Sequence, residues 1–164
     1  MVNKSSPRLF VILARAAPVG VIFRRGPSKQ VQLIKWDTSK DHFEYGQWFK
    51  GRIYERACDL SPNGDKLIYL AAKWGKKPIE TWTAISKPPY LTALVLWDNM
   101  GPGGGGWFEN EKLIQLCLSN TTYPKGEKYD RRGDDRKHAL GLPKDITHVQ
   151  IKIAPTALNI HNAL

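Results

Sequence analysis

Residues 59–70 read DLSPNGDKLIYL, and this stretch shows the pattern on which the whole chain is built. Ser61–Gly64 places Pro and Gly where a tight turn needs a fixed or a positive φ angle. The apolar run Leu67–Leu70 follows, and its length suits a strand. We therefore predict a surface turn at Ser61–Gly64 and a strand in which Leu67 and Tyr69 share one face, because side chains alternate along a strand.

Similar short runs continue in both directions from this stretch. Strand-like segments lie at Leu9–Leu13, Val19–Phe23, Val31–Trp36, Thr81–Ser86, Leu91–Trp97, Leu113–Leu118 and Val149–Ile153. Short strands with turns between them predict an all-β fold of antiparallel sheets, with more strand than helix. The arrangement is expected to be a partial propeller, a sandwich or a barrel. A helix at Leu113–Leu118 is the one alternative, since helix formers precede it.

Two polar stretches separate these strands. Residues 119–145 are rich in charges, Pro and Gly, and we expect a long polar loop there, with one turn of helix near Asp134–Leu140. Lys73–Pro78 is interpreted as a basic linker. Since 164 residues is the size of one domain, residues 1–164 are expected to form a single β-rich domain.

The charge of the chain is its most unusual property. Lys and Arg number 25 against 15 Asp and Glu, which gives a net charge of +10. The first 56 residues carry much of this excess. Such a balance favours anionic partners, namely nucleic acid, an acidic protein or an anionic membrane surface, or else it serves only solubility.

Cysteine content and hydropathy indicate the compartment. Cys58 and Cys117 lie far apart and form no paired motif, so neither a disulfide framework nor a zinc site is indicated. No apolar run approaches the roughly 20 residues that cross a bilayer, so membrane insertion is not expected. We predict a cytoplasmic protein.

Two basic segments are candidate sites for anions or nucleic acid. The turn RRGPSK at residues 24–29 places three cations beside a hydroxyl, a combination that can hold a phosphate. Residues 48–52 mix aromatic and basic side chains, as single-stranded nucleic-acid interfaces do. The candidate residues are Arg24, Arg25, Lys29, Trp48, Lys50 and Arg52. The alternatives are a solvated loop for the first segment and a core strand for the second.

The sequence gives little support for catalysis. Gly101–Gly106 satisfies the spacing of a dinucleotide loop but lacks the helix that such a site needs, so we interpret it as a flexible hairpin loop. No His or Cys lies in a metal-binding motif, and a buried structural thiol is expected at Cys58. We predict no catalytic residue, no metal and no cofactor. A nuclease centre around Asp134-Asp135 would need ligands from elsewhere in the chain.

Residues 59–69 resemble the turn and strand of TolB-like and WD40-like β-propeller blades, in which a Ser-Pro-x-Gly turn precedes an apolar strand. This resemblance implies a blade-like sheet. The stretch from Gly20 to Trp97 is similar to a group of bacterial proteins without an assigned activity, which implies a bacterial origin. A full propeller of four blades would need every residue of the chain.

These observations leave three hypotheses on function. The first is a non-enzymatic binding module, a protein-interaction subunit of a larger bacterial assembly. The second is a nucleic-acid-binding accessory protein that uses the basic N-terminal third. The third is a hydrolase or nuclease whose active site assembles from scattered residues. A positive stripe with exposed aromatic residues would favour nucleic acid, whereas an apolar patch beside an unpaired strand edge would favour a protein.

Overall fold

The computed structural model describes residues 6–26, 29–76, 79–99, 103–118 and 143–153. These residues form twelve strands and one turn of 3-10 helix at Glu55–Ala57. The strands are β1 Arg8–Leu13, β2 Val19–Arg25, β3 Gln30–Asp37, β4 His42–Lys50, β5 Arg52–Ile53, β6 Asp59–Leu60, β7 Leu67–Ala72, β8 Thr81–Ser86, β9 Ala93–Asp98, β10 Gly106–Phe108, β11 Leu113–Leu118 and β12 His148–Ile153.

The strands form three sheets, and none of the three closes on itself. The first sheet has the order β1-β2-β3-β4, and the middle sheet has β5-β7-β8-β9 with β6 also paired to β7. The third sheet has the order β10-β11-β12. The described residues contain no α-helix, which confirms the all-β prediction and places Leu113–Leu118 in a strand.

One strand pair departs from the antiparallel pattern. β11 and β12 run parallel, with Leu113 opposite His148. A parallel pair needs a crossover of a dozen or more residues, and the long connection between these two strands provides it. Most of the predicted polar loop, including Asp134–Leu140, lies in this connection and outside the described residues. The resemblance to propeller blades stays a prediction.

The middle sheet is buried on both faces. Leu67 and Tyr69 pack with Phe23 and Leu33 of the first sheet, whereas Ile68 packs with the third sheet. This confirms the predicted alternation along β7. All six residues of β7 are buried, as expected for a strand between two other layers.

The turn before β7 forms as predicted, but only its middle lies at the surface, where Asn63 is exposed. The N–H of Gly64 donates to the Ser61 carbonyl at 2.9 Å, and Gly64 has a φ angle of +79°. Ser61 and Gly64 are both buried, however, and a Cβ at Gly64 would lie 2.7 Å from Val19. The loop between β1 and β2 covers this turn, an approach that sequence alone does not show.

The face of the first sheet opposite the core is called the outer face. Its three rows across the strands are Leu13–Gly20–Trp36–Phe43, Val11–Ile22–Ile34–Tyr45 and Leu9–Arg24–Gln32–Trp48. In the central row, the side chains on β2 and β3 are covered by their neighbours: Ile22 and Ile34 are only 9% and 6% exposed. The two edge strands instead carry exposed side chains, which are aliphatic on β1 and aromatic on β4. Among the described residues, no helix is long and apolar enough to cross a membrane.

Candidate functional site

A cavity of about 620 Å³ lies where the β2–β3 hairpin approaches the chain that follows β7. Three segments form its wall: the hairpin tip, the junction of β4 and β5, and the start of the β7–β8 connection. Six of its lining side chains are basic: Arg25, Lys29, Lys50, Arg52, Lys73 and Lys76. Two are aromatic, Tyr54 and Trp74, and the Trp74 side chain is 57% exposed.

Backbone contacts bring these three segments together. The N–H of Gly51 donates to the Lys29 carbonyl at 2.8 Å and ties the β4–β5 junction to the hairpin tip. Arg52 pairs with Ala72, which joins the same junction to the end of β7. A Cβ at Gly51 would lie 2.7 Å from the Ala72 carbonyl oxygen, so the close approach of the two strands requires a glycine there.

The cavity has an excess of positive charge. Arg25 is the only one of its six basic residues that forms an ion pair within the described part of the chain, with Glu55 at 2.5 Å. A second acidic side chain, Glu80, accepts the N–H of Gly75 at 3.2 Å near the rim. The remaining cations therefore face one another around an open space, an arrangement that favours a ligand with several negative charges.

Aromatic rings hold two of these cations in place. The guanidinium of Arg52 lies 4.9 Å from the centre of the Tyr54 ring, and the Nζ of Lys73 lies 5.0 Å from the centre of the Phe49 ring. Such cation–π contacts are worth about 0.5–1 kcal/mol at exposed sites. They leave the charge of both side chains available to a ligand.

The structure brings four of the six predicted site residues together. Arg25, Lys29, Lys50 and Arg52 line the cavity, but Arg24 and Trp48 lie on the outer face of the first sheet. Alternation along β2 sends Arg24 and Arg25 to opposite faces. The guanidinium of Arg24 lies over the Trp48 ring, 5.8 Å from its centre.

The third wall of the cavity was not predicted from the sequence. Lys73, Trp74 and Lys76 were interpreted as part of a linker, although they show the same mixture of cations and an aromatic ring as residues 48–52. That mixture of residue types was the one signal in the sequence that could have marked this segment as part of the site. Its position beside the hairpin tip follows from the pairing of β5 with β7, which joins residues far apart in the chain.

The glycine-rich segment is packed against neighbouring strands. Residues 103–105 lead into β10 of the third sheet, whereas β9 belongs to the middle sheet, so β9 and β10 do not form the hairpin that the sequence suggested. The N–H of Gly105 donates to the Thr83 hydroxyl at 2.8 Å, and its carbonyl accepts the N–H of Cys117 at 2.9 Å. Residues 100–102 lie outside the described part.

Three acidic groups outside the cavity, Asp59, Asp65 and Asp145, are paired with basic side chains. The Asp59 carboxylate accepts the N–H of Phe108 at 2.8 Å and pairs with Arg15 at 3.5 Å. Burial raises the pKa of Asp59, while these two partners oppose the rise. Lys66 similarly contacts Asp65 and Asp145 at 2.9 and 2.5 Å. Within the described residues, no cluster of three His, Cys, Asp or Glu could hold a metal.

Cys58 provides a test of whether a reactive thiol is present. Its Sγ donates to the Tyr54 carbonyl at 3.2 Å, and burial raises the pKa of the thiol to about 12. Relative to the pKa of 9.0 of an unperturbed thiol, this lowers the thiolate fraction at pH 8 about a thousandfold. We expect iodoacetamide to alkylate Cys58 about a thousandfold more slowly in the native protein than in urea, measured by mass spectrometry in a Cys117→Ser background.

The Cys58→Ser/Cys117→Ser protein serves as the blank for this measurement. Native and unfolded rates within tenfold of each other would contradict the half-buried, protonated thiol.

Comparison with known proteins gives no relative for this chain. No family model matches it, and neither the curated proteins nor the solved structures include a match.

Proposed function

We propose that this protein is a non-enzymatic binding module whose ligand is single-stranded nucleic acid. The observation that carries this proposal is the cavity with six basic side chains, only one of them in an ion pair among the described residues. A nucleic-acid backbone carries a series of separate phosphates, and the cavity wall carries a series of separate cations that could each contact one of them. A single small anion would leave most of them without a partner.

The aromatic side chains favour a single strand over a duplex. Trp74 stands half exposed at the wall, beside the cations of the same segment. Unpaired bases offer their π faces to such rings, and this contact is tolerant of sequence because every base has a π face. In a duplex the same faces are hidden in the base stack.

Salt dependence tests the proposal. Each phosphate contact on a single strand contributes about −0.7 to the slope of log affinity against log salt. For a labelled single-stranded 12-mer, measured by fluorescence anisotropy over a range of KCl concentrations, we expect a slope of about −3, from four or five contacts. The Lys50→Ala/Arg52→Ala variant should bind more weakly and reduce the slope by roughly 1.4.

A matched control removes two cations far from the cavity. Lys40 lies in the β3–β4 turn and Lys87 follows β8, each at the end of its sheet away from the cavity. The Lys40→Ala/Lys87→Ala variant has the same net charge as the cavity variant and should keep the wild-type slope. If the two variants lose the same affinity for the 12-mer, net charge alone explains the effect and the cavity is not the binding site. If the wild type does not bind the oligonucleotide, the proposal is contradicted.

Binding of a protein partner is the second candidate function, and the exposed edge of β1 favours it. Within the described residues β1 pairs only with β2, and its Leu9, Val11 and Leu13 side chains are 64%, 45% and 56% exposed. An unpaired edge with apolar side chains is a template for another chain. Such an apolar contact persists at 1 M KCl, whereas the phosphate contacts of the first candidate are lost there.

A further inference from the structure

The aromatic edge of the outer face continues from the cavity. Lys50 lines the cavity, and Trp48 lies two residues before it on the same strand. Gly26, at the tip of the β2–β3 hairpin, lies so close to Trp48 that a Cβ there would be 3.1 Å from the indole ring. The cavity and the β4 side chains therefore meet at the hairpin tip.

A bulge places two aromatic rings of β4 on the same face. Gln32 is opposite Trp48 and Ile34 is opposite Tyr45, so three steps along β4 match two steps along β3. The extra residue interrupts the alternation along β4, so residues three apart share a face, and both rings point away from the core. Tyr45 is 70% exposed and Trp48 is 44% exposed.

Charge varies along this edge. At the cavity end, Arg24 lies over the Trp48 ring, and Lys50 lies two residues further along the strand. At the other end, Trp36 stacks on Phe43 with ring centres 5.7 Å apart, and its Nε1 donates to the Asp41 carboxylate at 2.9 Å. A polyanion is thus attracted more strongly to the cavity end than to the Asp41 end, where the charges of Lys40 and Asp41 offset each other.

We propose that Trp48 and Tyr45 form a stacking platform for the bases of the nucleic-acid strand that enters the cavity. This inference rests on the proposed function. The cavity cations would hold the phosphates, and the strand would pass the hairpin tip so that two successive bases lie against these rings. Positive charge beside the rings and direct continuity with the cavity favour a nucleic acid on this edge over an apolar protein segment.

Substitution of the two rings tests the platform. Tyr45→Ala and Trp48→Ala should each weaken binding of a single-stranded 12-mer roughly 5- to 150-fold, the range that base stacking gives. The salt slope should stay at the wild-type value, because stacking releases no counterions. Tyr45→Phe keeps the ring and should restore wild-type affinity.

Val11→Ala is the control on the same face. Val11 lies in the same row as Tyr45 but on β1. The substitution removes apolar surface without removing an aromatic ring. The Val11→Ala variant should bind the 12-mer with wild-type affinity. Circular dichroism checks that each variant is folded. If the wild type binds with the expected slope and both ring variants bind equally well, the platform is wrong and the cavity proposal stands. If the wild type binds no oligonucleotide, both proposals fail.

Discussion

Replacing Phe108 with alanine is expected to lower the free energy of unfolding by about 3–5 kcal/mol. The side chain is 1% exposed and packs between the middle and third sheets with Ile68, Ile85 and Ile114. Truncation removes its apolar contacts and leaves a cavity between two layers that cannot easily collapse. Since domains of this size are stable by about 5–15 kcal/mol, the variant would lose a large share of the total.

Urea unfolding followed by tryptophan fluorescence measures this loss, and Phe43→Ala provides the control. Phe43 is 36% exposed on the outer face, and its ring stacks on the Trp36 ring. The same truncation there should cost about 1 kcal/mol, the size of one aromatic pair. Similar losses in the two variants would mean that Phe108 does not join the layers as described.

Strands were the part of the fold that the sequence predicted best. The runs Leu67–Leu70 and Val149–Ile153 are local patterns, and both lie in strands. The stacking of three sheets was not predicted, because burial on both faces of β7 depends on contacts between distant segments. The parallel pairing of β11 and β12 was missed for the same reason.

The candidate site was predicted in part. Arg25 and Lys50 were chosen for their charge, and both line the cavity. Arg24 was grouped with its neighbour in sequence, although the period of a strand already separates the two side chains. The role of Trp74 could not be assigned, because its distance from the hairpin tip depends on how β5 pairs with β7.

The glycine segment before β10 shows how a local motif can suggest the wrong role. Its spacing resembles a phosphate-binding loop, and its composition suggests a flexible connection. Gly105 instead lies where the backbone must pass next to the 3-10 turn. A Cβ at this position would be 2.2 Å from the Ala57 carbonyl oxygen and 2.7 Å from the Ala57 Cβ. The glycine therefore serves close packing between the middle and third sheets.

Gly105→Ala is accordingly expected to lower the free energy of unfolding by about 2–5 kcal/mol, from a positive φ angle and overpacking together. Gly105 has a φ angle of +87°, and Gly75 has one of +76° with no other atom within 4 Å of its Cβ position. Gly75→Ala therefore incurs the backbone cost alone, about 1–2 kcal/mol. The difference between the two variants in urea unfolding measures the packing at Ala57, because the backbone cost is common to both. Equal losses would mean that the segment has room for a side chain and that the loop is as open as its sequence suggests.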